Sequence, residues 1–122
     1  ALIFACQNGH EQCALALIKA GAAVDTTEED GWTALMFAAQ GNLEQCLLEL
    51  LKAGAAVNPA AANGATALML AAQNNHEQCL LALIKAGANK AFKTADGKTA
   101  LSIAQQKKHQ ALVKHLSQDS GV

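Results

Sequence analysis

Four cysteines and four histidines are the side chains of this 122-residue chain best suited to chemistry. His10 with Cys13, and His76 with Cys79, have the i, i+3 spacing that sets two ligands on adjacent turns of a helix. A zinc site needs four ligands, or three and an open position, and nothing convergent in the sequence supplies the rest. No metal and no other cofactor is therefore expected. Cys13, Cys46 and Cys79 recur at an interval of 33 residues. Equivalent positions on neighbouring packed helices stand about 8–10 Å apart, beyond the roughly 7 Å that a disulfide allows between Cα atoms. Those three thiols read as small apolar fillers, and so does Cys6, which falls in an alanine column. Unpaired thiols suit a reducing compartment, the cytoplasm or nucleus. His109 and His115 are expected to face water.

Other chemistry finds less support. The sequence has no G-x-S-x-G, no phosphate-binding Gly-rich loop and no second motif to pair with its acids. Glu28, Glu29 and Asp30 form a charge run of the kind usual in solvated turns, and an enzyme is not expected. Hydrophobic residues make up 52% of the chain, but a polar residue or glycine interrupts them about every six positions, far short of the roughly 18 needed to cross a bilayer. No membrane partner is expected. The net charge of -1 hides an asymmetry, since seven of nine lysines lie from Lys85 onward and eight of ten acids precede it. With no arginine and almost no net charge, the chain lacks the guanine-reading contacts and basic field of a DNA-binding protein, which excludes nucleic acid. Only 3% of residues are aromatic. Alanine and leucine must fill the interior, which favours closely packed helices over a β-sandwich.

The elements that position these residues come from a repeat. Gly31, Gly64 and Gly97 are 33 residues apart, and the same interval relates Thr33, Thr66 and Thr99, Leu35, Leu68 and Leu101, and Gly21, Gly54 and Gly87. Within a unit, Asp30-Gly31, Asn63-Gly64 and Asp96-Gly97 provide tight turns. The following threonine opens a short helix, as in TALMFAAQ and TALMLAAQ, and Gly41-Asn42 or Asn74-Asn75 supplies the left-handed residue that ends it. A second helix runs from His76 toward Gly87, with Leu80, Leu83 and Ile84 on one face. Lys19, Lys52 and Lys85 complement the C-terminal ends of the second helices. A pair of helices this short cannot enclose a core, so the units must stack into a solenoid.

The 33-residue spacing, DG-x-TAL-x-x-AA, the NGH at Asn8 to His10 and K-A-G-A-x-V resemble ankyrin repeats over nearly the whole chain. The resemblance implies an all-α solenoid of stacked helix-turn-helix units with projecting β-turn fingers. It gives one domain over 1–122, with units at about 1–29, 30–62, 63–95 and 96–118 and a tail at 119–122. The family's T-P-L-H is TALM, TALM and TALS here, which predicts the loss of some hydrogen bonding between units. Glu11, Glu44 and Glu77 stand where a buried leucine is common, and Leu15, Leu48 and Leu81 occupy an often polar column. A small rotation of the outer helices is expected from that exchange. Gln105 and Ser117 mark the last unit as a cap, whereas ALIFAC starts within a helix, which predicts at least one further repeat upstream.

The resemblance also implies a docking surface for a partner protein. Gln7, Gln40, Gln73 and Gln106 recur at the end of the first helix, where they would face a concave groove beside Asn8, Gly41, Asn74 and Lys107. Trp32, Ala65 and Lys98 share the column after the turn glycine, on the fingers, with Glu29 and Asp30 forming an acidic first finger. Trp32 is expected to anchor a partner, and its removal to cost folding no more than about 1 kcal/mol. Met36 and Met69 read as packing residues, and Phe92 as buried. The expected protein is a monomeric, non-catalytic interaction module; the alternative is a regulatory or targeting appendage of a larger enzyme. The terminal Ser120-Gly121-Val122 matches a short C-terminal ligand of PDZ domains, a match common by accident.

Overall fold

A computed structural model describes residues 2–117, so the Ser120-Gly121-Val122 motif lies outside the described residues. Eight helices follow one another within them: α1 (Leu2–Gln7), α2 (Glu11–Lys19), α3 (Ala34–Gln40), α4 (Glu44–Lys52), α5 (Ala67–Gln73), α6 (Glu77–Lys85), α7 (Ala100–Gln106) and α8 (Gln110–Ser117). The odd-numbered helices pack in one row and the even-numbered in a second, each helix pair forming one hairpin of the stack. No β-strand occurs among the described residues, although Thr27 pairs antiparallel with Thr33 across the first finger.

Local chemistry fixes where each inner helix begins. The Thr33, Thr66 and Thr99 hydroxyls accept hydrogen bonds from the backbone N–H of Met36, Met69 and Ser102 at 3.3, 3.4 and 3.1 Å. In the last unit Ser102 Oγ returns the favour to Thr99 N–H at 2.9 Å, which completes a capping box. The cap thus survives without the proline of the family motif. The left-handed residue that follows each inner helix is the second after its glutamine: Gly9, Asn42, Asn75 and Lys108 have φ of 73°, 57°, 59° and 62°. Lys108 holds that conformation without the advantages of glycine or asparagine, at a cost of about 1–2 kcal/mol.

Packing between units is apolar inside and hydrogen-bonded along its edges. All of α3 and α5 except the terminal Gln40 and Gln73 is buried, including Met36 and Met69. The histidine column provides a link across the stack. His76 Nδ1 lies 2.8 Å from Ala39 O, and His109 Nδ1 lies 2.9 Å from Ala72 O. His109 therefore does not simply face water, because it is one repeat beyond His76 and closes the same bond to the preceding inner helix. Nor does His115, whose Nε2 sits 2.8 Å from Glu77 Oε2 and joins α8 to α6. Asp25 and Asn58 carboxyl and amide oxygens accept from Ala56 N–H and Asn89 N–H at 2.9 and 2.8 Å. The altered T-P-L-H motif leaves the units well tied by these other groups. Glu11 also faces the next unit, its Oε2 accepting from Cys46 N–H at 3.4 Å.

The fingers touch most closely at Gly64. A Cβ there would lie 2.9 Å from Thr94 Cα and 3.1 Å from Ala95 N, whereas one on Gly97 would meet nothing within 4 Å. Both glycines have positive φ, 85° and 83°, so an alanine at either carries the same left-handed penalty. Only Gly64 adds a backbone clash, beside the Ala95 N–H to Asn63 O bond of 3.0 Å. Gly64→Ala is expected to destabilise the protein by about 1–3 kcal/mol more than Gly97→Ala. Urea titrations of the two variants measure this difference, and equal losses would show that the fingers do not pack against each other.

Candidate partner-binding surface

Each finger is a turn closed by its own backbone and locked by a side chain, which in the second is Asn63, its Oδ1 accepting from Ala65 N–H at 3.0 Å. Glu28 N–H donates to Trp32 O at 3.0 Å, and Glu28 Oε1 accepts from Asp30 N–H and Trp32 N–H at 2.6 and 3.1 Å. One member of the acidic run therefore builds the finger, while Glu29 and Asp30 are exposed. The second finger repeats the closure with Ala61 N–H to Ala65 O at 2.8 Å, and the third with Thr94 N–H to Lys98 O at 2.8 Å. Thr94 takes the locking role of Glu28: its hydroxyl accepts from Lys98 N–H at 3.1 Å and donates to Asp96 Oδ1. That bond, with Lys98 nearby, holds the Asp96 carboxyl below its ordinary pKa.

The column after the turn glycine splits three ways. Trp32 is half-buried, its ring centroid 4.7 Å from that of Phe37 with the planes 32° apart. Lys98 is exposed and pairs with Asp96 at 3.8 Å. Ala65 is only 8% exposed, so its methyl forms part of a wall and offers a partner little surface of its own. The packing of Trp32 on Phe37 gives the ring a contact within the fold besides any role toward a partner.

Between the fingers and the inner helices the surface sinks into two depressions. The larger, of about 380 Å³, lies between the second and third fingers over α5 and α7. Met69, Leu70 and Ile103 contribute its apolar lining, and Ala65, Gln73, Lys98, Gln106 and Lys107 also border it. The smaller, of about 200 Å³, lies between the first two fingers and is lined by Asp30, Trp32, Ala61, Ala62 and Asn63. Gln40, Gly41, Glu29 and Asn74 are exposed but line neither. Asn74 also spends its amide locally, Nδ2 donating to Leu70 O at 2.9 Å. Sequence reasoning missed Leu70, Ile103 and Asn63, because apolar residues at helical spacing look the same whether they close a core or floor a groove. Phe92 is exposed rather than buried, and Leu48 on the outer row is 49% exposed.

A family model described as ankyrin repeats (3 copies) matches residues 1–61 and 45–122, which together span the chain. The chain belongs to the ankyrin-repeat family. Among curated proteins, none gives a significant match. Ankyrin repeats are in general protein–protein interaction modules, and the family is typically non-catalytic. No helix among the described residues of this ankyrin array is long and apolar enough to cross a membrane.

The thiols of the ankyrin stack divide by position. Cys6, Cys46 and Cys79 are buried, and burial pushes their pKa values up to about 11, 12 and 11. Cys46 Sγ donates to Glu11 O at 3.5 Å and Cys79 Sγ to Asn42 Oδ1 at 3.6 Å, both in the preceding unit. Cys13 has no preceding unit among the described residues to cover it, and it is exposed rather than a buried filler. All four are free, and no group of three or more His, Cys, Asp or Glu side chains among the described residues is arranged to hold a metal ion.

Two outcomes follow from this geometry. Trp32→Ala is expected to lower stability by about 1–2 kcal/mol through the lost aromatic pair and exposed Phe37, measured by urea unfolding; an unchanged midpoint would show that the ring contact is idle. A thiol reagent should modify Cys13 quickly in the native protein and Cys6, Cys46 and Cys79 only on unfolding, with Cys13→Ser abolishing the fast phase. The buried thiols keep their protons until about pH 11 or above when folded, but lose them near the ordinary 9.0 when unfolded. Their contribution is therefore intact below about pH 9 and falls as pH rises beyond it. Unfolding midpoints that stay flat through that alkaline range would contradict the burial of these groups.

Proposed function

We propose that this ankyrin array is a non-catalytic module that binds a partner protein through its fingers and concave groove. One observation carries the reading: α3 and α5 bury everything except their last glutamine, and Gln73 of α5, with Gln106 of α7, borders a depression walled by the second and third fingers. A helix enclosed this fully leaves one polar side chain, its last glutamine, that its own packing does not need. Gln7, Gln40, Gln73 and Gln106 are all exposed at that position, each able to donate and accept hydrogen bonds. The acidic first finger and the lysine-rich last units would steer the encounter. The module acts as a monomer on a protein partner, without nucleic acid, membrane or cofactor. Four free cysteines, three of them buried, support a reducing setting in the cytoplasm or nucleus.

The groove and the outer row make opposite predictions in affinity capture. Gln73→Trp places a bulky ring at the rim of the larger depression, from an exposed helix end. Leu48→Lys alters the exposed outer row instead. Proteins captured by the wild-type chain are expected to be retained by Leu48→Lys and depleted about tenfold by Gln73→Trp. The reverse pattern, read by quantitative mass spectrometry, would place docking on the outer helices and defeat the groove reading.

A further inference from the structure

Charge and shape along the groove narrow the partner's chemistry, on the understanding that the groove is the docking surface. Residues 25–30 hold Asp25, Glu28, Glu29 and Asp30, and no lysine lies between Lys19 and Lys52. Residues 85–117 hold seven lysines and a single acid, Asp96. Asp96 is engaged by Thr94 and Lys98, so the carboxylate at the rim of the larger depression is already partnered. Lys107 stands exposed on the same rim and has no ion pair among the described residues. Between the lysines the depression offers Met69, Leu70 and Ile103 as an apolar lining. Its volume of about 380 Å³ is near the small end of ligand sites, with room for one large side chain. The smaller depression places Asp30 beside the half-buried Trp32 two units away from Lys98.

We infer that the groove receives an extended segment of a partner protein carrying a large aliphatic or aromatic side chain next to a carboxylate, and a basic residue at its far end. The apolar side chain fills the depression over α5 and α7, the carboxylate meets Lys98 and Lys107, and the basic residue meets Glu29 and Asp30. Two steps between packed units span about 16–20 Å. An extended chain advances roughly 3.3 Å per residue, so acid and base lie about five or six residues apart. Opposite charges at the two ends also fix the direction in which the segment lies.

The test is selection of a random 12-residue peptide library displayed on phage against the whole chain at low salt. The expected winners carry Leu, Ile or Phe beside Asp or Glu, with Lys or Arg five or six positions away. A synthetic winner should bind about tenfold more weakly to K98E/K107E, whose thermal midpoint serves as the folding control, and a version with its own acid changed to Lys should regain the loss. Replacing its apolar residue by Ser should weaken binding by a similar factor. Winners blocked by Gln73→Trp but lacking this charge arrangement would overturn the inference and leave the groove as the docking surface. Winners indifferent to Gln73→Trp would count against both, and a library yielding no binder overturns the inference, since twelve residues exceed the span required.

Discussion

The array depends on how closely one inner helix can approach the next. Ala38, Ala39, Ala71 and Ala72 are wholly buried, and such small side chains let α3 and α5 pack along the stack with little room to spare. A hairpin this short has no second layer of its own, so each unit obtains its core from its neighbours. The same closeness sets the surface. Once the six residues before Gln40 or Gln73 are buried, the groove takes its polar chemistry from the helix ends and the fingers, and only the edges of residues such as Met69 and Leu70 reach its floor.

Polar ties between units repeat with the same economy. His76 and His109 reach back 37 residues to a carbonyl of the preceding inner helix, and Asp25 and Asn58 each hold a backbone N–H 31 residues ahead. Asp30 O and Asn63 O receive backbone N–H groups from the following finger at 2.8 and 3.0 Å. Each of these bonds crosses one interface between adjacent units. Stability in such a stack is close to a sum of unit and nearest-neighbour terms. The exposed Phe4 at 66% and exposed Cys13 show what the repeating columns look like where no earlier unit covers them among the described residues.

Most of the framework was legible because it rests on local rules. Threonine caps, turn glycines and the 33-residue interval need only the immediate sequence, and the structure uses Thr33, Thr66 and Thr99 as caps. The errors arise where burial depends on a neighbouring unit. Cys13 shares a column with Cys46 and Cys79 yet lacks their cover. His109 was hidden by Leu43, which interrupts the column of His10 and His76, and by the lysines beside it. Ala65 shows the converse: its column is exposed at Lys98 but closed at Ala65, since a methyl can sink where a long side chain cannot. The floor of the larger depression carried no separate signal, because Leu70 and Ile103 satisfy the helical pattern of a core whether or not a partner reaches them.

The repeat also separates the positions that build from those able to recognise. The capping threonine and the leucine two residues later are alike in every complete unit and are buried in the two middle ones, at Thr33, Leu35, Thr66 and Leu68, where a change disturbs an interface on either side. Two of the columns that differ from unit to unit border the groove: Trp32, Ala65 and Lys98 on the fingers, and Gly41, Asn74 and Lys107 beyond the glutamines. A substitution at an exposed site among these alters charge or shape at small cost to packing. A stack of nearly identical units would present a periodic surface that a partner could occupy in several registers. Placing an indole at one finger and lysine at another removes that degeneracy, since a segment displaced by one unit would face the wrong charge and the wrong depression.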